Sequence, residues 1–269
     1  MKKHLRINRF VSLAITVIVL TLLLVPSTGV QAMHIMEGFL PPMWCVVWGV
    51  VALPFVIWGL MNISKIIQDK QKNLLLLALV GAYIFVLSAM KIPSVTGSCS
   101  HPTGTGLAAI LFGPAVTAVL GLIVLLFQAI LLAHGGLTTL GANLTSMGIA
   151  GPILSLVIYR LIVGNPKTQT GKVSPKKVYF AVFLASALGD LFTYVVTSIQ
   201  LGMAYPDPAT HSVLASVQKF AGIFAITQVP LAIIEGILTA MIFSFITTHN
   251  RDQLIDLNVL PKTMTAEAV

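Results

Sequence analysis

Six apolar stretches, near residues 44–67, 74–90, 107–133, 145–163, 178–202 and 211–248, leave this chain few architectures. An α-helix needs about 20 apolar residues to cross the hydrocarbon core of a bilayer. Inside that core every backbone N–H and C=O must be paired within the protein, so such a chain becomes a bundle of membrane-spanning helices. Of its 269 residues, 57% are hydrophobic and only 9% charged, which is not the composition of a soluble domain. The net charge of +8 is therefore a topology signal rather than a nucleic-acid signal, because Lys and Arg concentrate in cytoplasmic loops. The expected fold class is all-α: a polytopic membrane helical bundle.

The basic connections are Lys65, Lys70 and Lys72 after the first span, and Lys167, Lys172, Lys176 and Lys177 between the fourth and fifth. Both should be cytoplasmic, yet an odd number of spans separates them. Gly113-Pro114 inside the third stretch repairs the count. Proline tolerates a helix start far better than a helix interior, so the stretch divides into a short helix near 103–112 and a second near 114–133. The result is about seven transmembrane helices with a short third one, the mature N-terminus outside and the C-terminus inside. The short helix cannot cross a bilayer alone and must be shielded or line a cavity. Residues 33–248 then form the membrane domain and 249–269 a polar, partly disordered cytoplasmic tail.

Residues 1–32 have the layout of a secretory signal: Lys2, Lys3, Arg6 and Arg9, then an apolar run from Phe10 to Val25, then Val30-Gln31-Ala32 as a small-residue cleavage site. The rival is an uncut anchor over 10–25. Cleavage is favoured by the abrupt change to Met, Gly and Pro beyond it, and would leave a chain beginning Met33-His34-Ile35-Met36-Glu37-Gly38. A free amine followed at once by histidine is a chelator. The Met33 amine, the His34 amide nitrogen and the His34 Nδ1 close fused five- and six-membered rings on one metal. Planar nitrogen sites suit Ni(II) and Cu(II), and Co(II) is held in the same way.

The expected topology places His34, His101, His134 and His211 outside and His249 inside. Histidine is the commonest metal-ligating side chain. The loop from Lys91 to Gly106, rich in Gly, Pro and small hydroxyls, can fold tightly around a ligand. It offers His101 as the fourth ligand, with Cys99 ranked lower beside three nitrogen donors. Cys45 and Cys99 are either bridged or two free thiols. His134 and Asn143 flank an outer loop and either orient a ligating imidazole by hydrogen bonds or pack that loop. Glu37 offsets the metal's charge, is solvated, or pairs with Lys91. Met36 is close enough to be a weak thioether ligand but is not assigned one. Asp190 and Glu235, ionisable groups within apolar helices, are expected to make structural hydrogen bonds or helix contacts. Lys219 marks a short amphipathic stretch near 211–226 or snorkels to the interface. Ala78 and Ala82 form a small-residue stripe that suits close helix approach, inside the chain or against a partner.

The runs Met33-His34-Ile35-Met36-Glu37-Gly38-Phe39-Leu40-Pro41 and Gly97-Ser98-Cys99-Ser100-His101-Pro102-Thr103-Gly104 resemble the CbiM family, the substrate-capturing membrane subunits of energy-coupling-factor cobalt transporters. The resemblance continues through Ala109 to Pro114, Leu132 to Asn143 and Gly189 to Tyr194. It implies that the new N-terminus plugs into the bundle and that metal sits on the Met33 amine, the amide and imidazole of His34 and the imidazole of His101. It also implies Co(II) as transported substrate, a transmembrane coupling subunit driven by two ATPases, a small CbiN-type accessory membrane protein, and a role in supplying cobalamin synthesis. Localisation would be the cell (inner) membrane. Nickel-specific relatives keep the same role open for Ni(II), but Met-Glu-Gly in the N-terminal motif favours cobalt.

The sequence points away from an enzyme. No Walker A motif is present, since Gly164 to Lys172 carries Val173 where Ser or Thr is required. No His-Glu-x-x-His pattern speaks for an intramembrane metalloenzyme, and the short tail offers no effector domain for a sensor.

Overall fold

The computed structural model describes residues 34–69, 72–90, 92–93, 99–166, 168, 173–261 and 263–264. The expected signal at 1–32 and the residue it would release, Met33, lie outside the described residues. The chain runs as α1 (Pro42–Asp69), α2 (Lys72–Ala89), a short hairpin of β1 (Ile92–Pro93) with β2 (Cys99–Ser100), α3 (Thr105–Phe112), α4 (Pro114–Leu131), α5 (Leu140–Val163), α6 (Pro175–Ala204), α7 (Val213–His249) and α8 (Arg251–Asp256). The protein is thus a polytopic helical membrane bundle. Among the described residues six helices, α1, α2, α4, α5, α6 and α7, are long and apolar enough to cross a bilayer. α3 is not, and it is buried from Thr105 to Leu111, as a short helix inside a membrane must be.

The break between α3 and α4 falls at Gly113-Pro114. Gly113 adopts φ 85° and ψ 163°, a region open essentially to glycine alone. Pro114 occupies the first turn of α4, where its missing N–H costs nothing. Because α3 reaches only part-way, the two basic connections emerge at the same end of the bundle. There Gln253 donates to the carbonyl of Lys72 and to Asn73 Oδ1 (3.2 and 2.8 Å), and Val173 pairs with Met264. The opposite end gathers residues 34–41, 99–104, 132–139 and 205–212.

The main core runs along α2 to α7, where α6 packs between α5 and α7. Small residues let α5 and α6 close: a side chain at Gly189 would collide with Ser155 Oγ of α5, at 1.9 Å from its Cβ. A second, smaller apolar cluster of Ile35, Leu40, Ala142, Tyr194, Leu201 and Phe224 lies under the N-terminal segment.

Three expectations change. The tail after Thr247 is not a loose end through residue 264: α8 follows α7, Leu254, Val259 and Leu260 are buried, and Tyr159 Oη donates to the Val259 carbonyl at 3.0 Å. The apolar residues Leu254, Ile255, Leu257, Val259 and Leu260 bring it back onto the bundle. Helix α5 begins at Leu140 rather than near 145, so Asn143 lies on its first turn and not in a loop. The stretch near 211–226 is no separate element but the start of α7, whose 37 residues extend about 55 Å. Lys219 is exposed on it.

Candidate metal centre

Three histidines from distant parts of the chain meet at the end where residues 34–41 lie. His34 belongs to an N-terminal strap that precedes α1. His101 follows β2 and precedes α3. His134 sits in the turn after α4, where Ala133 takes a left-handed φ of 46°. Their ring centroids are 4.5 to 5.0 Å apart, and one candidate ligand atom from each lies within 4.8 Å of the other two. His34 is 4% exposed, His101 0% and His134 2%. Imidazoles at this depth and spacing form a nitrogen-rich pocket suited to a divalent transition ion.

Hydrogen bonds orient two of the rings. His101 Nδ1 is 2.9 Å from the Pro102 carbonyl. A carbonyl only accepts, so Nδ1 carries the proton and Nε2 keeps the lone pair that a metal requires. His34 Nε2 is 3.2 Å from Met147 Sδ. Donation from Nε2–H to the thioether leaves the lone pair on Nδ1, the atom a chelate ring through the His34 amide would use. Met147 lies in the π-helical turn Leu144–Ala150 of α5, the kind of helix irregularity often found at functional sites.

The strap is held along its length. Asn143 clamps one residue twice: its Oδ1 accepts from Ile35 N–H at 2.8 Å and its Nδ2 donates to the Ile35 carbonyl at 3.0 Å. Thr139 Oγ1 donates to that same carbonyl at 2.5 Å. Ile35 and Leu40 are buried at 2% and 3% exposure, each worth roughly 1.5–3 kcal/mol. Glu37, on the surface, accepts from Thr138 Oγ1 (2.6 Å) and Thr138 N–H (3.1 Å), which hold its carboxyl below the usual carboxylate range. Tyr205 Oη donates to the Phe39 carbonyl. Gly136 permits the contact between loop and strap, since a Cβ there would lie 2.5 Å from Glu37 Cα. Apolar anchoring outweighs the exposed polar tether, so the strap is seated mainly by Ile35 and Leu40.

His101 is fixed from below. Tyr194 Oη of α6 donates to the His101 carbonyl at 2.9 Å, and Ser100 Oγ pairs with Thr227 Oγ1 of α7 at 2.7 Å. Glu235, wholly buried in α7, accepts from Thr103 N–H (2.5 Å), Gly104 N–H (3.0 Å) and Thr103 Oγ1 (3.1 Å). Asp190 of α6 accepts from Gln228 Nε2 of α7 at 3.4 Å. Both intramembrane carboxylates therefore serve structure around the pocket.

The structure brings together His34 and His101, two of the expected ligands, while Met33 lies outside the described residues, as does the Cys99 side chain. His211 is exposed and apart from the cluster. Cys45 is a free thiol that donates to the Leu40 carbonyl at 3.5 Å. Glu37 binds Thr138, and Lys91 lies outside the described residues. Met147 touches His34. The structural hydrogen bonding expected of Glu235 is present, at the His101 turn; sequence reasoning missed Met147 as a contact of His34. A carboxylate in an apolar helix was the signal for Glu235, and nothing local marked Met147.

A profile of the CbiM family, described as the cobalt uptake substrate-specific transmembrane region, matches residues 34–253. Proteins named cobalt transport protein CbiM are 59% identical in Chlorobium limicola (83% of this chain, 84% of that protein), 58% in Clostridium tetani (86% and 91%) and 52% in Clostridioides difficile (92% and 95%). The fold is shared with a crystal structure titled as a truncated transition metal transporter, at TM-score 0.65 and 24% identity over 80% of this chain and 99% of that one. A second, titled as a transition metal transporter, has TM-score 0.66 and 21% identity over 82% and 96%.

Proposed function

The chain belongs to the CbiM family of cobalt-uptake membrane proteins, and from that premise we propose that it is the substrate-capturing subunit of an ATP-driven transporter of the energy-coupling-factor type, taking up Co(II). The observation that carries this reading is the burial of His34, at the start of the strap, against His101, with the proton-bearing nitrogens of both turned to other partners. Signal cleavage after Ala32 would complete the donor set with the Met33 amine and the His34 amide nitrogen. Four nitrogens then replace the waters of an incoming ion.

The role is capture, not catalysis. ATP hydrolysis falls to two partner ATPases acting through a transmembrane coupling subunit, with a CbiN-type accessory protein in attendance. The strap end faces outside and the basic end, with α8, faces the cytoplasm. Cobalt delivered this way supplies cobalamin synthesis. Lipid is the surrounding partner, and nucleic acid is not one. Ala78 and Ala82 support a docking site for the coupling subunit: both are exposed, not packed within the chain, and line an apolar groove of about 520 Å³ between α2 and α4.

The decisive test is elemental analysis of full-length protein purified with its processed N-terminus, beside His101→Ala. Near-stoichiometric cobalt in the first and its loss in the second are expected. Equal metal in both removes His101 from the site, and N-terminal sequencing that starts anywhere but Met33 removes the chelate. Nickel in place of cobalt in cells expressing the whole system would change the cargo but not the mechanism.

A further inference from the structure

Resting on the capture reading just given, we propose that Asp190 is a proton-binding site in the membrane interior: its carboxyl stays neutral at neutral pH, donates its proton to Glu235, and leaves on Glu235 the single negative charge that fixes the turn after His101. Of the chain's eight acidic residues, these two are the ones within membrane-spanning helices. Both are buried, on the facing helices α6 and α7, and their carboxyls are hydrogen-bonded to each other. Two carboxylates cannot make that bond, because an ionised carboxyl only accepts. One proton must lie between them.

The donors around the pair decide which carboxyl carries it. Glu235 accepts from Thr103 N–H, Gly104 N–H and Thr103 Oγ1 at 2.5, 3.0 and 3.1 Å. These groups stand at the start of α3, where the helix dipole adds to the attraction for a negative charge. Asp190 receives much less. Its Oδ2 accepts from Gln228 Nε2 at 3.4 Å, and its buried Oδ1 accepts from no donor among the described residues. A carboxyl with several donors keeps its charge, whereas one buried with few takes up a proton. Placed on Oδ1, the proton turns that bare oxygen into the donor of the bond to Glu235. No cation replaces it: Thr103, Gly104 and the partly buried Tyr83 of α2 are the other groups acting on the pair, and no Lys, Arg or His is among them.

The role follows from where the charge lies. Glu235 ties down Thr103 and Gly104, while Tyr194, one turn along α6 from Asp190, holds the His101 carbonyl. With both carboxyls ionised, repulsion at low dielectric would drive Glu235 off the turn. With both neutral, the N–H donors would face a weaker acceptor. One shared proton leaves one charge aimed at the turn. Asp190 therefore acts on the metal through Glu235 and is a positioning residue.

Infrared difference spectroscopy of the processed, full-length protein in H2O and D2O tests the proton directly and needs no metal. At neutral pH the wild type should show the carbonyl stretch of a neutral carboxylic acid. Asp190→Asn should lose that band and Glu235→Gln should keep it. Cobalt titration tests the role. Asp190→Asn can still donate to Glu235 and accept from Gln228, so it should bind Co(II) as the wild type does. Asp190→Ala can do neither, and should bind about 10-fold more weakly, the low end of the range for groups that orient ligands. Absence of the band from the wild type, its persistence in Asp190→Asn, or its appearance only after sodium and potassium are removed overturns the proton site. Asp190→Asn that binds as weakly as Asp190→Ala overturns the positioning role. Cobalt that binds equally well to His101→Ala overturns the capture reading and leaves the band untouched, so the two failures are told apart.

Discussion

Both ends of the Asn143 carboxamide bind Ile35, so a side chain 108 residues away joins Thr139 in fixing the backbone next to His34. Asn143→Ala leaves a buried N–H without its acceptor, at a cost of about 1–3 kcal/mol, and frees the strap beside the metal. Titration should show Co(II) affinity lower by about 10–100-fold, the range for groups that orient ligands, with the helical circular-dichroism signal unchanged. Glu37 sets a pH limit on the same strap. Its carboxyl is held below the usual range by Thr138, so the tether is complete above the ordinary carboxylate pKa and is lost as pH falls through the lowered folded value. Limited proteolysis within residues 35–40 should therefore stay constant from neutral pH into the ordinary carboxylate range and rise only below it. Glu37→Gln should abolish that step. A step at the ordinary value would argue against the tether. Individual ligand-type residues were legible in the sequence because their chemistry is local: His34 from its place after a cleavage site, His101 from a glycine- and hydroxyl-rich loop. His134 as a cluster member was not, because its approach is made by α4 and the turn after it.

At the scale of elements, Gly113 decides whether residues 105–131 form one helix or two. A Cβ at this position would meet nothing within 4 Å, so its conformation is the whole of its role. Gly113→Ala should lower stability by about 1–3 kcal/mol through backbone strain alone, read as a drop in thermal midpoint in detergent. Gly38, also at positive φ in open space but on the surface, is the comparison site. The break at Gly113-Pro114 could be located from sequence because proline chemistry and loop charge gave the same answer. The start of α5 could not. Gly135, Gly136 and Gly141 give its approach the composition of a loop, and only packing shows that Gly141 lets the helix lie against Gly49 of α1, where a Cβ would come within 2.5 Å. The compact tail was missed for a related reason: its apolar residues form one short run, Leu254 to Leu260, too brief to signal order until Tyr159 and the base of the bundle receive it.

For the whole molecule, the division between a site end and a basic end follows from α3 stopping short. The bundle's outer surface is then free for partners, and the groove at Ala78 and Ala82 gives a test. Replacing both with Leu should abolish co-purification with the coupling subunit while leaving metal content unchanged. Assembly that survives would move the contact elsewhere. The spans and their order were legible because hydrophobicity in a membrane is nearly a one-dimensional code, whereas the convergence of three loops on one pocket is a property of tertiary packing. The burial of all three imidazoles beneath a strap carries a kinetic consequence. An ion seated there would be shielded from bulk chelators, so its departure would wait on the peptide stopper lifting, a motion that must also break the bond to His34 on that same segment, and adding more chelator would not hasten it.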